Sequence, residues 1–148
     1  MGLNVMSSKS SSQKGASAVE FALILPLLML ITFGIIEFGM FIYNQQVLTN
    51  ACREGARAGI VASSPRVPPT GTNSIDSVVQ NYCSNHLVTF GTQNNPVTTV
   101  IGYSATAPFS SDLTVQVNYQ YSFLVIPNLV PGISRLRNMQ AVTVMRYE

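Results

Sequence analysis

From Phe21 to Ile36 no residue carries a charge, and the apolar character continues past Glu37 through Phe38-Gly39-Met40-Phe41-Ile42-Tyr43. As a helix rising about 1.5 Å per residue, residues 19–43 would reach roughly 37 Å, against a hydrocarbon core of about 30 Å. The segment therefore reads as a membrane span, because the core helix of a small domain need not be so long. A cleaved secretory signal is the competing reading. It requires a shorter apolar stretch and a small-residue cleavage motif, and Asn44-Gln45-Gln46-Val47-Leu48 supplies none. A lipoprotein site at Ala51-Cys52 fails as well, since Asn50 stands where a small residue is needed.

With 148 residues and the N-terminal third assigned to a membrane, only about a hundred remain for a soluble fold. Charged residues make up 9% of the chain, far below the roughly 25% of an ordinary soluble protein, which suits an exported surface of Ser, Thr, Asn and Gln. The net charge of +2 is scattered, and no basic cluster interleaved with aromatics forms a phosphate-binding stripe, so nucleic acid is not an expected partner. Lys9 and Lys14 precede the span without an acid among the first fifteen residues, whereas Arg53 and Arg57 follow it with Glu54. This bias favours a cytoplasmic N-terminus. The leader, residues 1–15, is Ser-rich and lacks apolar periodicity, so it is expected to be disordered.

Two carboxylates bracket the apolar run, Glu20 and Glu37, some 25 Å apart along a helix. An acid at the bilayer centre is costly, and this spacing lets each lie near an interface instead. For Glu37 two roles stand equally, a carboxylate among the outer headgroups and a helix-packing contact. Glu20 is more specific because of Gly15-Ala16-Ser17-Ala18-Val19-Glu20-Phe21: a glycine closes a basic leader and a glutamate follows five residues later, where the apolar helix begins. This resembles a type IV prepilin processing site. The resemblance implies that a membrane-embedded peptidase cuts between Gly15 and Ala16. The new α-ammonium would then be neutralised by Glu20 of an adjacent subunit in a low-dielectric bundle.

The run Gly15-Ala16-Ser17-Ala18-Val19-Glu20-Phe21-Ala22-Leu23-Ile24-Leu25-Pro26 further resembles the start of TadE-like proteins, minor pilin-like components of the Tad (tight adherence, Flp) pilus system. Ile35-Ile36-Glu37-Phe38-Gly39 and Ala51-Cys52-Arg53-Glu54-Gly55-Ala56-Arg57-Ala58-Gly59 extend the likeness through the first sixty residues, and Val144-Met145-Arg146 resembles the family's closing segment more loosely. Ala16, where the main pilins of the shaft frequently have Phe or Met, argues against a shaft subunit. Pro26 removes one helical hydrogen bond. It either kinks the helix and so sets its angle in an assembly, or is accommodated by neighbouring groups.

Beyond the span, helical character runs to Val61, with Ala51, Gly55 and Gly59 forming a small-residue stripe at i, i+4 and i+8 that permits close approach of another helix or of the chain's own core. Glu54 and Arg57 read as a solvated pair. The segment Ser63-Ser64-Pro65-Arg66-Val67-Pro68-Pro69-Thr70-Gly71 ends the helix. Ile75, Val78, Val79, Tyr82 and Cys83 then mark a short amphipathic helix capped by Asn73 or Ser74. Cys52 and Cys83 lie on the same side of the span, and a disulfide between them would pin the two helices, the alternative being two buried free thiols. Residues 97–103, 113–121 and 141–147 alternate as strands of an antiparallel sheet. The apolar, proline-broken residues 126–133 either cover that sheet or face a partner.

The expected fold is α+β: a cytoplasmic leader (1–15), a transmembrane and juxtamembrane helix (16–62), and an exported domain with a short helix and an antiparallel sheet (63–148). No catalytic group is expected, since the lone His86 and the isolated Asp76 and Asp112 sit in helix-end and turn contexts. No metal, cofactor or small-molecule substrate is expected either. The resemblance implies a non-enzymatic pilin-like component of Tad pilus biogenesis in the bacterial inner membrane, single-pass with the domain exported, and in the extracellular pilus after assembly. Its partners would be the membrane, a prepilin peptidase, other pilin-like subunits and Tad assembly proteins. A pseudopilin of a type II secretion system and an uncleaved signal-anchored binding protein are the alternatives.

Overall fold

In a computed structural model, the protein is described over residues 9–61, 66–89, 95–106 and 111–147, with backbone alone for 9–14. The first eight residues of the leader and residues 62–65 of the proline-rich connection lie outside the described residues. Helix α1 (Lys9–Ile60) is continuous over 52 residues, about 78 Å at 1.5 Å per residue. It starts inside the leader, where the composition suggested disorder. Once an apolar helix exists, adding residues at its end needs no new nucleus, and Ser, Lys and Gln are tolerated there. Pro26 lies inside α1 without interrupting it.

The surroundings of α1 change at one residue. From Gly15 to Ile36 its side chains are exposed, apart from partly covered Leu25, Leu30 and Gly34, and the first buried residue is Glu37. Residues 16–36 alone reach about 31 Å, the thickness of a hydrocarbon core. The helix is long and apolar enough to cross a membrane. The upper part of the expected span, residues 37–43, is therefore shared with the globular domain. From Glu37 onward a buried stripe follows through Asn44, Val47, Leu48, Ala51, Cys52, Gly55, Ala56 and Gly59, at the three- and four-residue steps of one helix face.

Helix α2 (Ile75–His86) packs on this stripe. Ser74 caps it, accepting from the Ser77 amide, while the Ser77 hydroxyl accepts from the Ser74 amide in a reciprocal box. Ile75, Val79 and Cys83 form its buried face. The approach to α1 is close because Gly55 and Gly59 lack side chains: a Cβ on Gly59 would lie 2.6 Å from Leu113 Cδ2 and 2.7 Å from Ile75 Cδ1, and one on Gly55 2.6 Å from Val79 Cγ2. The small-residue stripe thus serves the chain's own core.

Strands β1 (Val97–Ile101), β2 (Asp112–Ser122) and β3 (Leu136–Arg146) form one antiparallel sheet in the order β1-β2-β3. β2 alternates as a half-buried strand should, with Leu113, Val115, Val117, Tyr119 and Tyr121 turned to the helices and Thr114, Gln116, Asn118 and Gln120 turned away. β3 begins at Leu136, earlier than its alternation suggested, because pairing with β2 carries Leu136-Arg137-Asn138 into the ladder opposite Ser122-Tyr121-Gln120. A four-residue helix, α3 (Ile126–Leu129), stands in the β2–β3 connection expected to be loop, with Pro127 in its first turn. The architecture is α+β, with α1 lying along one face of a three-stranded sheet and α2 packed against α1.

Replacing Gly59 by Ala inserts a methyl group into the contact with Leu113 and Ile75. A loss of about 1–3 kcal/mol is expected, seen as a lower denaturant midpoint for the detergent-solubilised chain. An unchanged midpoint would mean that α1 does not approach the sheet this closely.

Candidate functional site

Glu37 is 3% exposed, and its carboxylate meets the start of the β2–β3 connection. Leu124 N–H donates to Oε1, Val125 N–H is shared between Oε1 at 3.1 Å and Oε2 at 3.3 Å, and Ile126 N–H donates to Oε2 at 2.9 Å. Three amides that precede or open α3, and so have no carbonyl partner of their own, are satisfied by one side chain. A buried carboxylate without donors would be strongly disfavoured, so each group answers the other's desolvation. The contact is within the chain, between residues 87 to 89 apart in sequence.

An aromatic cluster stands beside it. Phe41, one turn beyond Glu37, meets Tyr121 edge-on at 5.5 Å and stacks on Phe123 at 5.7 Å, and Tyr121 and Phe123 meet edge-on at 5.1 Å. The Tyr121 hydroxyl is buried without a hydrogen-bond partner among the described residues. Burial pushes its phenol up, and the charge of Glu37 adds to the shift.

Asn44 repeats the device seven residues along α1. It is fully buried, its Nδ2 donates to Val88 O at 2.7 Å, and its Oδ1 accepts from Val88 N at 3.0 Å. One amide side chain thereby replaces a missing backbone partner and ties the segment after α2 to α1. The sequence reading did not single out Asn44. Its signal was present in the spacing: a polar residue seven from Glu37 and seven from Ala51, on the face that the small residues mark for burial.

Cys52 and Cys83 are both buried free thiols, and the disulfide expected between them is not formed in the structure. Cys52 turns instead to the sheet, donating to Val115 O at 2.9 Å with Ala141 O at 3.5 Å. The contacts of Gly59 with Ile75 and of Gly55 with Val79 step along α1 and α2 in opposite directions, which brings Cys83 to the turn holding Ala51 and Cys52. Burial first, and then the charge of Cys52, push the Cys83 thiol up to about 11. Burial raises Cys52 as well.

The remaining expected residues lie on the bare part of α1. Gly15, Ala16 and Glu20 are exposed. A Cβ on Gly15 would meet nothing, so packing does not require a glycine there. Thr32 returns its hydroxyl to Leu28 O at 2.8 Å, which leaves no free donor on the apolar cylinder at that point. His86 stacks on Tyr82 at 4.3 Å at the end of α2, and Glu54 and Arg57 form an exposed contact at 4.0 Å. Among the described residues no group of three His, Cys, Asp or Glu converges to hold a metal ion.

Replacing Glu37 by Ala is expected to cost about 1–3 kcal/mol, with faster hydrogen exchange confined at first to the Leu124, Val125 and Ile126 amides. Unchanged exchange at these three would show that the carboxylate does not hold them. The Cys83 thiol is neutral in the folded protein up to about pH 11 but ionises near 9 when unfolded. Its raised folded pKa therefore contributes stability fully below pH 9 that is lost as pH rises towards 11. In the reduced protein, Cys83→Ala should flatten the stability profile in that window, and an unaltered slope would place the titration elsewhere.

No curated protein and no solved structure matches the chain. A family profile described as TadE-like protein matches residues 15–57, from the glycine that closes the leader, through the bare apolar cylinder and Glu37, to the arginine that follows Ala56. The match does not reach the strands, so the looser likeness of Val144-Met145-Arg146 stands outside it, and it is over the N-terminal helix that the chain is similar to the TadE-like proteins.

Proposed function

We propose that this chain is a pilin-like, non-enzymatic subunit of a Tad pilus machine, whose helix is both its membrane anchor and its means of assembly. The observation that carries this reading is the coincidence of two boundaries. The family match starts at Gly15, and from Ala16 to Ile36 α1 carries mainly apolar side chains, none of them buried by the described residues of its own domain. A helix that is apolar all round needs either lipid or other helices against it. In the bilayer, lipid supplies that contact. In an assembled bundle, neighbouring subunits replace it.

Within this reading a prepilin peptidase cuts between Gly15 and Ala16, with the leader cytoplasmic and the sheet domain exported from the inner membrane. Gly15 lies within helix in the uncut chain, and glycine is the residue whose helical state is least favourable after proline, so local opening for the peptidase is easiest there. Glu20, exposed on the cylinder, is placed to receive the new α-ammonium of a neighbouring subunit, a pairing favoured by the low dielectric around it. Pro26 sits in the bare part, where neighbouring helices or a local bend absorb the lost hydrogen bond. The domain's role is then initiation, surface adhesion or support of the fibre, with other pilin-like subunits and Tad assembly proteins as partners.

Determining the N-terminus of the protein from cells that have the peptidase tests this. Ala16 is expected as the first residue, and a bulky substitution of Gly15 should leave the leader attached and abolish surface fibres. An intact Met1 in the presence of active peptidase would refute the processing step. A Glu20→Gln chain should still be cut but enter fibres at least about tenfold less, the loss expected if pairing contributes about 1.4 kcal/mol.

A further inference from the structure

β2 runs along α1 in the opposite direction. The Leu113 side chain covers Gly59, the Cys52 thiol reaches the Val115 carbonyl, Phe41 meets Tyr121, and Glu37 receives the amides of Leu124, Val125 and Ile126. From Leu113 to Tyr121 a strand covers about 26 Å, and from Gly59 to Phe41 a helix covers about 27 Å. The two therefore lie nearly side by side. The β2–β3 connection is delivered to the level at which α1 loses its protein neighbours and becomes a bare apolar cylinder.

That connection and the first residues of β3 share a distinctive surface. Leu124, Leu129, Ile133 and Leu136 are 50%, 48%, 44% and 46% exposed. Arg135 and Arg137 are exposed in the same stretch, and no acidic residue occurs between Asp112 and Glu148. Arg135 is braced by a bond from its guanidinium to Asn128 Oδ1 at 2.9 Å. Large apolar side chains exposed together on a soluble face mark a contact surface, and arginines beside them fit phosphate oxygens.

We propose that this connection is a second membrane-contacting element, which rests on the reading of α1 as a bilayer span. Its leucines and isoleucine enter the boundary between headgroups and acyl chains in the leaflet from which α1 emerges, and Arg135 and Arg137 meet the phosphates of anionic lipid. The occupant is a lipid surface because Glu37 fixes the loop beside the end of the span, where lipid surrounds the helix on every uncovered side. The basic, acid-free chemistry of the loop matches that surface. Two-point contact then holds the sheet domain upright on the membrane until the helix leaves it.

The chain contains no tryptophan, so single tryptophans report position without interference. Three full-length variants would be reconstituted in vesicles of phosphatidylethanolamine, phosphatidylglycerol and brominated phosphatidylcholine: L129W in the loop, F33W in the span, and I101W at the far end of the sheet, about 33 Å away along α1. All three positions are exposed, so the fold should survive each change. Bromine in the shallow acyl region is expected to quench L129W and F33W but not I101W, with L129W quenching reduced in the R135Q/R137Q background. Quenching of F33W alone would overturn the loop proposal and leave the span standing. Quenching of neither would remove both. A blue-shifted L129W that bromine does not quench would mean that protein covers the loop, which also overturns the proposal.

Discussion

Three amides at the turn out of β2 have no carbonyl to bind, and the carboxylate of Glu37 takes all three. This interaction lies at the lower end of the contact between helix and sheet. Below it α1 is bare, and above it one face of the same helix is lined by a core of Leu48, Ala51, Cys52, Ile75, Val79 and the inner face of β2. A buried carboxylate without donors and buried amides without an acceptor would each be costly. Both requirements are met at one point, which fixes the height of the domain relative to the apolar cylinder.

The rest of the packing follows from a shortage of surface. A three-stranded sheet has one face to bury, and the upper half of α1 lies along β2 and β3 to cover it, with α2 packed on α1 in turn. The approach is close because Gly55 and Gly59 leave room for Val79, Ile75 and Leu113. Asn44 then closes the segment after α2 by binding both backbone groups of Val88. The helix is thus a structural member of the domain, and the domain's polar outer face, rich in Thr, Asn and Gln on β2, is what remains for water.

Where local periodicity carries the information, the fold could be read from the sequence. The apolar run, the Ile75-Val79-Cys83 face with its Ser74 cap, and the alternation of β2 each depend on residues a few positions apart, and each occurs in the structure. The partners of Glu37 and Asn44 could not be read, because they are backbone groups of connections 44 to 89 residues away, and a backbone amide has no identity in a sequence. The early start of β3 escaped for a related reason: Leu136-Arg137-Asn138 joins the ladder because β2 is opposite, with no alternation of its own. Cys83 was legible on the apolar face of α2, but the Cys52 side chain is aimed at the sheet, a matter of rotamer that spacing does not encode. Gly15 and Glu20 remain readable only by their spacing, since no described element buries them.

Because α1 runs without a break from the cylinder into the core, the head has no swivel. A helix turns about 100° per residue, so sliding the bare cylinder by one residue against a neighbouring helix, while keeping the same kind of contact, would rotate the whole sheet by that angle. The exposed valines of β3, Val142 and Val144, and the outward residues of β1, Val97 and Ile101, would then look in a different direction. The packing register of a few apolar side chains at the bottom of the molecule is in this sense a compass bearing for the surface at its top.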